Sequence, residues 1–218
     1  MKILAVDTAL GACSVAVLDA GHVLAHRIVL MERGHAEALA PMVDEAMRAA
    51  GVKFAELDRL AVTTGPGTFT GQRVGLAFMR GLRIALKKPL VGITTLEAMC
   101  AAAMDEARAE FAAAVHDAKR GEAYLAVTAR TSTLLSPKLV GLDAAATEIE
   151  EVAGQMSVAL AGTGAETVAK KLKRARLTTI RQPDALWVAR LALGQPEPLE
   201  APRPLYLRAP DAKLPAST

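Results

Sequence analysis

The chain has 218 residues, 52% hydrophobic and 22% charged, a balance that fits a globular protein and excludes a disordered one. A net charge of +3 permits an acidic partner such as RNA without demanding one. Aromatic residues are only 3%, so the core must pack through aliphatic side chains and close backbone approach. Cys13 and Cys100 lie far apart in no CxxC pair, which argues against a zinc or redox motif and for reduced thiols in a cytosol.

The opening run Met1–Val6 is broken by Asp7 and is too short for a signal peptide. No later run is long enough to span a bilayer, so a cytoplasmic protein without membrane contact is expected. Residues 2–8 read as a buried strand. Residues 12–18 and 22–30 read as two more, joined by a hairpin turn at Asp19-Ala20-Gly21-His22. A helix is predicted over 35–50, with Leu39, Met42, Val43, Ala46 and Met47 at helical spacing; Pro41 should kink it or mark its true first turn. A strand at 59–64, a helix at 71–86 and a strand at 90–93 follow, and Thr94 or Thr95 can cap a helix to about 109. The second half reads as strands near 111–117, 122–130 and 135–141, a helix near 143–154, a strand at 157–161, and helices near 164–174 and 184–194. The tail carries Pro196, Pro198, Pro202 and Pro204 and should run extended across another element.

An internal repeat is visible. Strand, Asp7, three residues, Gly11, strand is matched by strand, Asp117, three residues, Gly121, strand; Gly65-Pro66-Gly67 is matched by Gly162-Thr163-Gly164. Two such halves point to the two-lobed α/β fold of the actin-like ATPases, ribonuclease H-like in each half. Lobes of 1–108 and 109–195 are expected, with the tail from about 196 to 218 packing back on the first. In a working cleft of that fold Asp7 and Asp117 would hold magnesium or its waters. The structural alternative is that each aspartate caps its own turn. Ala9-Leu10 and Ala118-Lys119-Arg120 are bulky for a phosphate loop, so Asp7, Gly11, Asp117, Gly121, Gly162 and Gly164 read as candidates for a degenerate nucleotide cleft.

The segment from Gly65 to Gly75 has the strand–glycine turn–helix setting of a phosphate loop, but no Gly-Lys-Ser/Thr triplet follows. The helix after it places Arg73, Arg80, Arg83 and Lys87 in one stripe. The rest, from Val74 through Phe78, Met79 and Leu82, is an apolar arc of roughly 200°, wide enough to require burial on two sides. Gly71, Gly75 and Gly81 would each weaken a helix by about 1 kcal/mol, which suggests that another backbone comes close. His35 and Glu37 suit a helix start better than acid–base work. His116 and Asp117, as strand neighbours, should point to opposite faces. His22, His26, His35 and His116 make no metal pair on one helix face, and no nucleophile triad is evident. The basic run Lys170–Arg176 reads as a solvated helix end or as an RNA-binding patch.

Several of these motifs resemble the TsaB family, also called YeaZ: Ile3–Thr8, Cys13–Ala16, His35-Ala36-Glu37, Gly65–Gly75, Gly92–Ala98, Asp117–Tyr124 and the tail Tyr206–Lys213. The resemblance is weak over 130–195. It implies a non-catalytic scaffold subunit of the bacterial complex that makes threonylcarbamoyladenosine in tRNA. The expected partners are a TsaD-type catalytic homologue, which carries the metal, a TsaE-type ATPase, and tRNA through the complex. It also implies a dimer surface, for a homodimer when alone, on the helices at 35–50 and 71–86. The interface residues expected there are Leu39, Met42, Val43, Met47, Arg73, Val74, Phe78, Met79 and Leu82. TsaD's histidine metal pair has no counterpart near Thr95-Leu96-Glu97. No catalytic residue, metal or bound cofactor is expected for the chain alone; ATP or ADP at the subunit junction stays open. Gln72, Thr68, Arg80 and Ala36 depart from the family's usual Leu, Ser, Lys and Ser. The rival readings are a small kinase or ATPase using Asp7 and Asp117, a peptidase, and an RNA-binding module.

Overall fold

In a computed structural model, which describes residues 1–208, the chain forms two five-stranded mixed sheets. The family-like residues 209–213 and the rest of the tail lie outside the described residues. The first sheet contains β1 (Lys2–Asp7), β2 (Ala12–Asp19), β3 (His22–Leu30), β4 (Arg59–Thr63) and β5 (Leu90–Ile93), in the order β3-β2-β1-β4-β5. The second contains β6 (Phe111–Lys119), β7 (Glu122–Ala129), β8 (Thr133–Gly141), β9 (Val158–Ala161) and β10 (Ala175–Leu177), in the order β10-β9-β6-β7-β8. In each sheet the opening strand pairs antiparallel with the next and parallel with the fourth. The repeat seen in the sequence is therefore a repeat of topology.

Among the described residues six α-helices complete the fold: α1 (His35–Ala50), α2 (Phe69–Leu86), α3 (Thr95–Ala107), α4 (Ala145–Ala153), α5 (Ala165–Ala169) and α6 (Ala185–Leu193). α1 and α2 cover the outer face of the first sheet, where Leu39, Met42, Val43, Met47 and Met79 join Leu4, Val6, Val15 and Val62 in one cluster. α4 and α5 cover the second sheet in the same way. The inner faces are covered crosswise. α3, from the first half, packs on β6, β7 and β9; α6, from the second, packs on β1, β2 and β4 and touches α3. Alanines line both inner interfaces: Ala112, Ala114, Ala126 and Ala159 under α3, and Ala185, Ala189 and Ala192 within α6. Short side chains let this helical layer sit close between two sheets.

Local signals in the sequence account for most boundaries. The hairpin turn uses left-handed Ala20 and Gly21. Thr94 caps α3 in a capping box, accepting from the Glu97 N–H at 3.2 Å while Glu97 accepts from the Thr94 N–H at 3.0 Å. α1 runs through exposed Pro41, which does not mark its first turn. Two predictions fail. The helix expected over 164–174 ends at Ala169, and the basic run that follows is a turn leading into β10, not a helix end. Lys171 pairs with Asp143 at 2.6 Å and Arg174 donates to the Gln155 carbonyl at 2.7 Å, so these cations hold the turn in place.

The tail from Gln195 to Arg208 crosses the first half and then bridges to the second. The Leu205 N–H donates to the Thr64 carbonyl at 2.7 Å, Arg80 donates to the Pro202 carbonyl at 2.5 Å, and Arg208 donates to the Ala118 carbonyl at 2.8 Å and pairs with Glu122.

Close approach, not helix–helix contact, explains two of the α2 glycines. The Thr8 hydroxyl donates to the Gly71 carbonyl at 2.7 Å and accepts from the Gly75 N–H at 3.0 Å. A Cβ at Gly71 would lie 2.2 Å from the Thr8 carbonyl oxygen, whereas one at Gly81 would meet nothing within 4 Å. Gly71→Ala is expected to destabilise by about 1–3 kcal/mol, lowering Tm by roughly 2–4 °C per kcal/mol in a chain of this size. Gly81→Ala should be neutral or stabilising by up to about 1 kcal/mol. Thermal melts followed by circular dichroism check both.

Candidate functional site

A cleft of 480 Å³ opens where the two β-hairpin turns face each other, lined by Leu10, Gly11, His116, Asp117, Lys119 and Gln182 among others. Both aspartates cap their own turns. Asp7 Oδ1 accepts from the Ala9 N–H at 3.1 Å and Asp117 Oδ1 accepts from the Lys119 N–H at 2.7 Å. The glycine loops close onto these turns from behind. The Thr68 N–H donates to the Ala9 carbonyl at 2.8 Å, and the Gly164 N–H donates to the Val115 carbonyl at 2.9 Å. Gly162, at φ 100°, leaves no room for a side chain: a Cβ there would lie 2.1 Å from the Val115 carbonyl oxygen. Gly121, also at positive φ, completes the second turn.

Asp7 is fully buried. Its Oδ1 also accepts from the Thr63 hydroxyl at 2.6 Å, and its Oδ2 has no partner. Burial pushes its carboxyl up to about 7, against the two hydrogen bonds that favour the charged form. His116, also buried, has an unpartnered Nδ1, and burial pushes its imidazole down to about 4. His116 and Asp117 both line the cleft, although one is buried and the other half-exposed.

A magnesium–nucleotide does not fit these residues in the manner of the fold. The Gly11 N–H, which would meet a phosphate, donates instead to Gln182 Oε1 at 2.9 Å. A fully buried Asp7, already holding the Thr63 hydroxyl and the Ala9 N–H, is a poor magnesium ligand. Gln182 was not singled out by the sequence, because it is distant in the chain and belongs to no motif. Among the described residues no three His, Cys, Asp or Glu side chains gather as a metal site. No helix there is long and apolar enough to cross a membrane.

The residues expected at a partner surface divide between the core and the outside of α2. Leu39, Met42, Val43, Met47 and Met79 are buried in the chain's own core, and Val74, Phe78 and Leu82 are half-buried against it. The second side of the wide apolar arc is the exposed face of α2, formed by Ala77, Gly81, Ala85 and Ile84, the last 74% exposed. At its N-terminal end the Arg73 guanidinium lies 3.5 Å over the Phe69 ring and its Nε donates to the Tyr206 hydroxyl at 2.8 Å. Phe69 and Tyr206 are themselves stacked, with ring centroids 6.0 Å apart. His35 is buried, with Nε2 3.0 Å from the Leu10 carbonyl, and so ties the start of α1 to the first hairpin.

Comparison with known proteins follows the same lines. The family model described as "TsaD: tRNA N6-adenosine threonylcarbamoyltransferase" matches residues 28–178. The Escherichia coli tRNA threonylcarbamoyladenosine biosynthesis protein TsaB is 36% identical over 150 residues, 64% of this chain. A crystal structure from Pseudomonas aeruginosa, described as similar to peptidase YeaZ, matches at 30% identity with a TM-score of 0.79, covering 95% of this chain and 99% of that one. The chain belongs to the TsaB (YeaZ) family. The matched stretch spans 64% of the Escherichia coli relative's own length. The actin-like ATPase fold is shared more widely. The activator of the 2-hydroxyisocaproyl-CoA dehydratase from Clostridium difficile, solved with bound ADPNP, superposes with a TM-score of 0.53 at 11% identity. Likeness at that level concerns the fold alone.

Asp7 and His116 set opposing pH dependences. Asp7 keeps its proton more tightly folded than unfolded, so its contribution to stability falls as pH rises from about 4 to about 7, by at most about 1.4 kcal/mol per pH unit. His116 binds its proton less tightly when folded, so its contribution grows as pH rises from about 4 to about 6.5. Asp7→Asn removes the first slope. Its Tm advantage over the wild type should be small at pH 4 and widen steadily up to pH 7, as read by thermal melts across that range.

Proposed function

We propose that this chain is a non-catalytic partner of a TsaD-type threonylcarbamoyltransferase in the formation of threonylcarbamoyladenosine on tRNA. Its role is to bind and activate the catalytic homologue. The observation that carries this reading is the uncovered apolar face of α2. Ile84 and its small neighbours present a continuous apolar strip, and the Phe69–Arg73–Tyr206 stack supplies aromatic and arginine anchors at one end. Exposed gaps beside Ala77 and Gly81 let another helix approach closely, as a structural homologue built on the same fold could offer.

The cleft supports the same reading. Its phosphate-facing amide is satisfied within the chain and its aspartate is buried, which disfavours a kinase or ATPase. A TsaE-type ATPase joins the pair in this proposal, and tRNA is reached through the complex. Self-association on the α2 face would compete with the catalytic partner for the same surface.

The purified chain should show no threonylcarbamoyl transfer alone and should restore transfer when mixed with a TsaD-type protein; robust transfer by the chain alone overturns the proposal. Ile84→Asp should weaken co-purification with the partner at least tenfold without changing the melt, because the side chain is exposed. Met79→Asp is no test of the surface, since that residue is core.

A further inference from the structure

The basic residues in and after α2 fall into two groups. Arg73 donates to the Tyr206 hydroxyl at 2.8 Å and Arg80 donates to the Pro202 carbonyl at 2.5 Å, so the tail engages both. The second group is Arg83, in the last turn, with Lys87 and Lys88 just beyond it, where Lys87 takes a left-handed conformation and ends the helix. These three side chains hold no ion pair or hydrogen bond among the described residues. All three line one recess of 300 Å³, together with Ile84, Pro89 and Glu197.

Charge in this recess is unbalanced. A cation is favourable at a helix C-terminus, but the helix end carries only about half a negative charge. With the single carboxylate of Glu197 it offsets about half of what the three cations bring. The neighbouring elements supply nothing more. α2 contains no acidic residue. On α1, which packs beside it, Asp44 pairs with Arg48 at 2.5 Å and Glu45 pairs with Arg27.

Ile84 joins the recess to the uncovered apolar face. It lines the one and, at 74% exposed, stands out from the other. A protein that covers Ile84 therefore also meets the cations. A second copy of this chain is a poor occupant. Laid parallel on α2 it sets recess against recess, and laid antiparallel it sets the recess against the Arg73 end, so cations face cations either way.

Resting on the reading that a catalytic homologue docks on α2, we propose that this partner is acidic where it meets the end of the helix: its carboxylates enter the recess and pair with Arg83, Lys87 and Lys88. The recess then selects the catalytic homologue over a second copy by charge, while the apolar face supplies the contact area.

The full chain carrying Lys87→Glu with Lys88→Glu tests this against the TsaD-type protein of the same organism, with binding rates measured at about 50 mM and about 300 mM salt. Wild-type association should slow as salt rises. The double variant should bind about tenfold more weakly at low salt, mostly through a slower association, and should lose the salt dependence. Its melt should be unchanged. Ile84→Asp serves as the control for docking itself. A double variant that binds like the wild type at both salts, while Ile84→Asp binds weakly, overturns this proposal and leaves the docking reading standing. Normal binding by both variants overturns the two together. A double variant that binds the partner normally but releases tRNA from the assembled complex overturns the proposal in favour of RNA phosphates. Should the double variant fail to fold, Lys87→Gln with Lys88→Gln decides the matter: it should flatten the salt dependence, and an unchanged one overturns the proposal.

Discussion

The molecule depends on one packing constraint: two sheets share a single intervening layer of two helices, and that layer is thin. α3 and α6 touch each other and each covers the sheet of the opposite half. Alanines at their interfaces let backbone approach backbone. Tyr124 and Trp187 reach these interfaces only from their partly buried margins. The scarcity of aromatic residues, odd in composition alone, follows from this geometry. So does the conformity of the hairpins, because each turn is backed by a glycine loop that tolerates no side chain.

Much of the fold was legible because the chain states it twice. The Asp-to-Gly hairpins and the glycine loops after the fourth strand of each half recur at matching places, and the topology repeats with them. β10 was not legible. Its residues, Ala175, Arg176 and Leu177, carry no apolar alternation, and the strand exists only because β9 offers it a ladder. The run of lysines and arginines before it has good helix propensity one residue at a time. Tertiary pairing of Lys171 and Arg174 with distant partners overrides that preference.

The candidate sites were harder to read, for two physical reasons. Helical spacing identifies an apolar face but not what covers it. Leu39, Met42, Val43 and Met47 have the same pattern whether they meet a partner or their own sheet, and here they meet the sheet. The width of the arc on α2 was the better signal, since one sheet cannot cover so much of a helix; Ile84 is what remains uncovered. In the cleft, a motif can show which donors are present but not which are already engaged. Gln182 engages Gly11 across a long stretch of chain, through a contact that no local pattern encodes.

The crossed helices also order events during synthesis. The first sheet is complete in sequence at Ile93, yet its inner face has no cover until Ala185–Leu193 is made. On the ribosome, Ile3, Ala5, Leu18 and Val91 would stay largely uncovered until α6 emerges. The first half can collapse early onto α1 and α2, but it cannot finish until α6 has been made. An early stop codon anywhere before α6 would therefore strand a formed sheet with one greasy face open, a species for chaperones or proteases to claim.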